Sequence, residues 1–488
     1  MEIEKIINLL INGKDDKKAE GFVRFLSEKL WGYYTEYLMN KETIGKEEVS
    51  RWRLDLPNAK ENVPYEKEVT IKPLKNPLLE GIDVQILQIK GISENSHGLS
   101  VDISEDGKAF RISGTPSLDS FRKDGTVAES TFDLTIVYKF TGIDFPDDEQ
   151  HIHEQKYPFV INQDPRKLWK NLDVDWQNMP EPKYYNEDTQ ADFIKVEALP
   201  DGTPQKDIVA ASKRGRSHAQ EAKPRDDHFK MYHDDNTNWY VMAVADGAGS
   251  AKFSRQGSTI ACDTVIEHCK TELSNSESFE ENINQWHANQ RSEEAGKLIS
   301  ADIYRIVGNA AYKAHKAIVE EAKATGNPTK AYATTLLLAI CKKFDFGWFV
   351  ASFWVGDGAM CLYDRNNHTS TLLGIPDEGE YAGQTRFLTM PDIFNDTTEF
   401  YKRLKCKIVP DFTALFLMTD GVSDPKFETD ANLNNPDKWD ELWNDLQNNT
   451  EHPVNLSDNN ENAQNELLDW LDFWSPGNHD DRTIAILY

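Results

Sequence analysis

The stretch VMAVADGAGSAKFSRQGS, residues 241–258, decides the reading of the C-terminal half of the chain. Its first five residues are apolar and uncharged, as in a buried strand, and Asp246-Gly247 ends the run. An Asp at a strand end sends its carboxylate into the space beyond the sheet, and the Gly after it lets the backbone turn sharply and approach a ligand closely. The same pattern recurs as Asp357-Gly358 after FWVG and as Asp420-Gly421 after ALFLMT. A fourth carboxylate, Asp480 in NHDDRTIAILY, stands just before the last apolar run, and Asp424 follows Asp420 by one helical turn. A single Asp-Gly after a strand is ordinarily a turn. Several together, without Cys or His among them, describe a hard, all-oxygen site suited to Mg²⁺ or Mn²⁺.

Outward from this stretch, residues 206–488 mix strands and helices. YVMAVADG, YATTLLLAIC, WFVASFWVGDG, ALFLMTDG and DRTIAILY read as strands, and 255–273 and 297–324 as amphipathic helices. Trp439, Trp443, Leu446, Leu467, Leu468, Trp470 and Leu471 have the spacing of an inserted, core-packed helical pair. Upstream, residues 164–205 show no clean period and read as a linker, and 51–163 break into short β-type runs separated by turn residues, as in a β-sandwich. Residues 1–50 carry apolar positions at helical spacing (Ile6, Ile7, Leu10, then Phe22, Phe25, Leu26, Leu30, Trp31, Tyr34), which predicts two helices parted at Asn12-Gly13-Lys14.

Composition fits a multidomain globular chain. The 488 residues exceed one core's usual size, and 39% hydrophobic residues with 12 Trp argue against global disorder. With 54 basic against 82 acidic residues the formal charge is −28, which disfavours nucleic acid and anionic membrane surfaces as partners. No apolar run is long enough for a membrane helix, and the charged start does not read as a signal peptide, so a cytoplasmic location is expected. The five cysteines, Cys262, Cys269, Cys341, Cys361 and Cys406, contain no Cys-x-x-Cys pair and read as reduced core residues.

Two resemblances add to this. GLSVDISEDGKAFRISGTPS (98–117) followed by TFDLTIVYKFTG (131–142) resembles immunoglobulin- or cadherin-like modules, which implies a fold and no chemistry. Across the C-terminal half, GRSHAQEAKPRDDHF, VMAVADGAGSAKFSRQGS, YATTLLLAI, ASFWVGDGAMCLY, LFLMTDGVSD and HDDRTIAIL run in the order found in metal-dependent phosphatases of the protein phosphatase 2C type, in their divergent bacterial branch. The resemblance implies an α+β chain whose catalytic domain is an α-β-β-α sandwich of two antiparallel sheets with a two-metal centre at one edge. It implies that Asp246 bridges the metals, that the Gly247 carbonyl is a further ligand, and that Asp420 and Asp480 hold the second ion. It places Asp226 in contact through water, and Asp357 and Asp424 at a third, weaker ion. Residues 374–388 look like the family's mobile flap. Three features depart from the pattern: Asp226 for a Glu, Asp481-Arg482 for the usual Asn after Asp480, and a longer gap between Gly215 and Asp226.

The implied function is hydrolysis of phosphoserine and phosphothreonine in a phosphorylated protein substrate, by water bridged between two ions about 3.5–4 Å apart. Arg216, ahead of Arg225, would capture the phosphate, and His218, ahead of His228, would protonate the leaving oxygen. The resemblance also suggests a cognate kinase as partner. Two alternatives stay open on the sequence: a pseudophosphatase that binds a phosphoprotein or kinase without turnover, and a phosphatase of small phosphomonoesters.

Overall fold

Tyr240–Ala245 is buried on both faces in the structure, a computed structural model: Val241, Ala243 and Ala245 enter one core and Tyr240, Met242 and Val244 another. This period-two split explains why the stretch reads as continuously apolar instead of alternating. The structure describes residues 20–92, 98–123, 126–127, 130–144, 151–178, 188–289, 292–377, 385–458 and 460–488. The helix expected around Ile6 and Leu10, the break at Asn12-Gly13-Lys14 and the centre of the expected flap, 378–384, lie outside them. The chain divides into two compact units, 1–169 and 170–488.

The C-terminal unit is a sandwich of two antiparallel sheets. One has five strands, in the order His228–His233, Tyr240–Ala245, Leu336–Phe344, Gly347–Val355, Leu404–Val409. The other has six: Thr189–Ile194, Ile208–Lys213, Arg482–Leu487, Ala414–Met418, Ala359–Asp364, Thr369–Leu372. Between the sheets lies a core containing Tyr240, Met242, Leu337, Trp348, Leu417 and Ala485. The helices Ser254–Leu273 and Asn309–Ala324 cover the outer face of the first sheet. Pro436–Asn448 and Ala463–Trp470 cover the second, burying Trp439, Leu442, Leu446, Leu467 and Trp470, so the inserted pair is core packing. Four cysteines are buried, Cys406 is half-buried, and all five are free thiols.

Thr189–Ile194 lies within the stretch expected to be a linker, yet it pairs along its length with Ile208–Lys213. Its sequence, TQADFI, places Asp and Gln inside a short edge strand, so no apolar run announces it.

In the N-terminal unit two sheets face each other over one core, and the short pair Arg122–Lys123 with Thr126–Val127 stands apart from them. Ala59–Lys60, Ile152–Asn162, Thr131–Thr141 and Asp83–Lys90 form one, and Tyr65–Thr70, Ala109–Gly114 and Leu99–Ile103 the other. Leu134, Ile136 and Ile161 from the first meet Phe110 and Ile112 from the second, as in a β-sandwich. The helix Glu20–Ser50 adds Val49 to this core.

Candidate metal centre

Strand ends at one edge of the C-terminal sandwich bring the carboxylates together. Asp246 terminates Tyr240–Ala245, and the Thr334-Thr335 pair ahead of the neighbouring strand fixes its backbone. Its N–H donates to Thr335 Oγ1, and its carbonyl accepts from Thr335 N–H and Thr334 Oγ1, each at 2.8 Å. Gly247 is required here: a Cβ would lie 2.7 Å from the Asp226 carbonyl oxygen. Asp357 follows Gly356, and Asp420 opens the helix Asp420–Phe427 directly after its strand. Oxygens of Asp246, Asp357 and Asp420 all lie within 4.8 Å of one another, and the three residues are half-buried.

Electrostatics mark this arrangement as costly without a cation. Burial, with Asp227, Asp420 and Asp480 nearby, pushes Asp246 well above the carboxylate range. Burial and then Asp357 and Asp480 push Asp420 up to about 7. Asp424, one turn along the same helix, is raised to about 6 by burial and by Asp357. Asp420 Oδ1 is buried, and among the described residues only the neighbouring Asp246 carboxyl, when protonated, can donate to the Asp420 side chain. A set of oxygen donors without thiolate or imidazole, short of hydrogen bonds and mutually repelling, fits a hard divalent ion.

A second group adjoins the first. His218, Asp480 and Asp481 also offer atoms within 4.8 Å of one another. Asp481 ties three segments together: Oδ1 accepts from Gly215 N–H and Oδ2 from Asp226 N–H, both at 2.6 Å, and His218 Nδ1 stands 3.0 Å from Oδ2. Burial opposes the charge on both partners, but their pairing prevails, holding Asp481 below the usual range and pushing His218 up to about 10. His218 Nε2 stands 3.7 Å from Asp226 Oδ2, and burial raises Asp226 to about 7 despite that neighbour. Asp480 is exposed as a residue, yet its carboxylate is desolvated against the acidic cluster and, with Asp481 beside it, raised, and its charge acts in turn on Asp246 and Asp420.

The remaining candidates separate. Arg216 bonds the Asp472 carbonyl (2.9 Å) and carboxylate (3.2 Å) and the Phe473 carbonyl (3.3 Å), and it shares a small cleft with Asp480. Arg225 is only 1% exposed and bonds the Ser212 carbonyl and Gln190 Oε1, each at 3.2 Å. His228 lies within a strand, where burial pushes its imidazolium down to about 4.

Two residues given no role on the sequence are central. Asp227 Oδ2 accepts from Thr419 Oγ1 (2.9 Å) and Thr483 Oγ1 (2.7 Å), and its charge is the foremost neighbouring charge on Asp246. Asp481 is the other. Both are the second member of an Asp-Asp pair immediately before a strand, His228–His233 in one case and Arg482–Leu487 in the other, and that repetition was the available signal.

The family described as Protein phosphatase 2C matches the chain over residues 214–472. No curated protein matches it. Among solved structures, RsbX in complex with magnesium is 13% identical, with 61% of this chain and 100% of that one covered and a TM-score of 0.32. A C. elegans sex determining protein is 13% identical over 58% and 65%, with a TM-score of 0.37. The Mycobacterium tuberculosis serine/threonine phosphatase PstP/Ppp is 15% identical over 58% and 98%, with a TM-score of 0.31. Likenesses this distant add no argument of their own, and the family match carries the assignment. Covering more than half of the chain, it shows that the chain belongs to the protein phosphatase 2C family, whose members are metal-dependent phosphatases.

Proposed function

We propose that the chain hydrolyses phosphoserine and phosphothreonine in protein substrates, using Mg²⁺ or Mn²⁺ held by Asp246, Asp420, the Gly247 carbonyl and Asp480, with Asp357 and Asp424 at a further ion. The observation that carries this reading is the convergence of the Asp246, Asp357 and Asp420 carboxylates within 4.8 Å of one another. Bound divalent ions would supply positive charge to the phosphoryl oxygens and activate water.

The chain's own residues position and protonate. The two threonines bonded to the Asp246 backbone hold that carboxylate at the strand end. Asp481 orients His218, leaving Nε2 on the side of Asp226, where it can give a proton to the departing serine or threonine oxygen. Arg216 is favoured over Arg225 for phosphate capture because it shares a cleft with Asp480, whereas Arg225 is enclosed by Ser212 and Gln190.

The test is Mn²⁺-dependent release of phosphate from a phosphothreonine peptide by the full chain. EDTA should abolish turnover and added Mn²⁺ restore it; no turnover at saturating Mn²⁺ overturns the reading. Asp357→Ala and Asp424→Ala should leave part of the maximal rate while moving its Mn²⁺ dependence to higher concentration by about tenfold, the lower end for loss of a supporting ligand. Rate titrated against Mn²⁺ checks this, and unchanged curves for both would remove the further ion.

A further inference from the structure

A cleft of about 810 Å³ opens beside the carboxylates and plays no part in the chemistry above. Its walls continue the segments that build the metal centre. Ala248 lies two residues beyond Asp246 and donates its N–H to the Ala333 carbonyl at 3.0 Å. Ala331, which accepts from Phe253 N–H at 2.7 Å, leads into Thr334 and Thr335. A third wall, Phe387–Pro391, follows Thr385, whose hydroxyl bonds Asp357, and Leu388 N–H donates to the Thr334 carbonyl at 2.8 Å. The helix Asn309–Ala324 closes the cleft with His315 and Val319, and the His315 Nδ1–H donates to the Leu388 carbonyl at 2.8 Å, tying that wall to the helix.

The lining chemistry is unlike the rest of this acidic chain. Ala248, Ala251, Val319, Ala331, Phe387 and Met390 make it mostly apolar, and among the described residues no carboxylate lines it. Its cationic side chains are Lys252 and Lys330, both exposed. Two residues span at most about 7.6 Å between Cα atoms, so the cleft begins within two or three residues' reach of a phosphoresidue held at Asp246. A small phosphate ester has nothing to place there. A peptide has the residues that flank its phosphorylated one.

We propose that this cleft is a substrate subsite taking an apolar side chain, with an acidic side chain on Lys252 and Lys330, from the residues beside the phosphoserine or phosphothreonine. The proposal rests on the phosphoprotein phosphatase reading and names the local sequence that site prefers. The apolar side chain gains by leaving water, and the lysines set charge preference at the rim.

The test compares three substrates of the full chain at saturating Mn²⁺: p-nitrophenyl phosphate, a phosphothreonine peptide flanked by Leu and Glu, and the same peptide with Ala and Lys there. Wild type should prefer the Leu/Glu peptide. The double variant Lys252→Glu, Lys330→Glu should lower kcat/KM for that peptide by about tenfold or more, since like charges are then juxtaposed, with p-nitrophenyl phosphate turnover within about twofold. Val319→Trp, which fills the cleft from the helix side, should remove the Leu preference by a separate route. Equal losses on all three substrates, or an unchanged preference in both variants, overturn the subsite. Binding of the labelled Leu/Glu peptide is read by anisotropy in parallel. Binding that depends on Lys252 and Lys330 without any turnover would overturn the phosphatase reading and keep the subsite; neither binding nor turnover would overturn both.

Discussion

Asp246→Ala is expected to lower Mn²⁺-dependent turnover by about a thousandfold or more, on the order of 4 kcal/mol of barrier, because it removes the carboxylate on which the site converges. The same substitution should leave the fold intact and make the metal-free protein more stable, which a misfolding variant would not. The sign follows from proton binding. Asp246 is raised well above the carboxylate range, Asp420 to about 7 and Asp424 to about 6, so between about pH 4 and 7 the folded state holds more protons than the unfolded state. Stability of the metal-free protein therefore falls as pH rises through that window. The His218 contribution acts in the same direction: raised to about 10, it is fully present below the unfolded value near 6.5 and is lost as pH rises toward 10. Mn²⁺ should flatten this dependence in wild type by occupying the acidic cluster. Thermal melts at pH 6 and 8, with EDTA and with Mn²⁺, would show it, and an Asp246→Ala protein that keeps near-native turnover at saturating Mn²⁺ would remove Asp246 from the metal centre.

How far this site was legible in the sequence depended on where each residue stands. Asp246, Asp357 and Asp420 each interrupt a long apolar run, and the strands they end are buried on both faces, so the contrast between run and carboxylate is sharp. Asp227 and Asp481 were less visible because each carries its role through hydrogen bonds from Thr419, Thr483, Gly215 and Asp226, partners far apart along the chain. The choice of His218 over His228 has its physical ground outside the local sequence. His218 gains its charge from Asp481, 263 positions later in the numbering, while His228 faces Arg225 and Lys230 from within its own strand region. The edge strand Thr189–Ile194 was hidden for the opposite reason: its polar composition resembles its surroundings, and only pairing with Ile208–Lys213 makes it a strand.

The second large effect is expected outside the strand-end carboxylates, at Arg403. Its Nη1 donates to Asp377 Oδ2 at 2.7 Å and to the Trp354 carbonyl at 3.2 Å, and its Nη2 to Asp377 Oδ1 at 2.9 Å. Both side chains are shielded, at 7% and 13% exposure. Asp377 in turn accepts from Gly356 N–H and donates its own N–H to the Gly356 carbonyl, both at 2.9 Å. Gly356 has φ +117°, a conformation L side chains rarely adopt, and an added Cβ would collide with Thr335, so this turn needs both glycine and an external hold. The bidentate pair thus fixes the residue immediately before Asp357. Arg403→Ala should cost about 3–5 kcal/mol in urea unfolding, because it leaves the Asp377 carboxylate buried and unpaired. Replacing both partners, as Arg403→Leu with Asp377→Leu, should recover most of that stability, since no lone charge remains. Activity should not recover with it. Without the Asp377 carboxylate, Gly356 N–H loses its partner and Asp357 its placement, so the double variant should need about tenfold more Mn²⁺ for half-maximal rate. Recovery of stability and of the Mn²⁺ curve together would make Arg403 and Asp377 a packing pair with no hold on the metal centre.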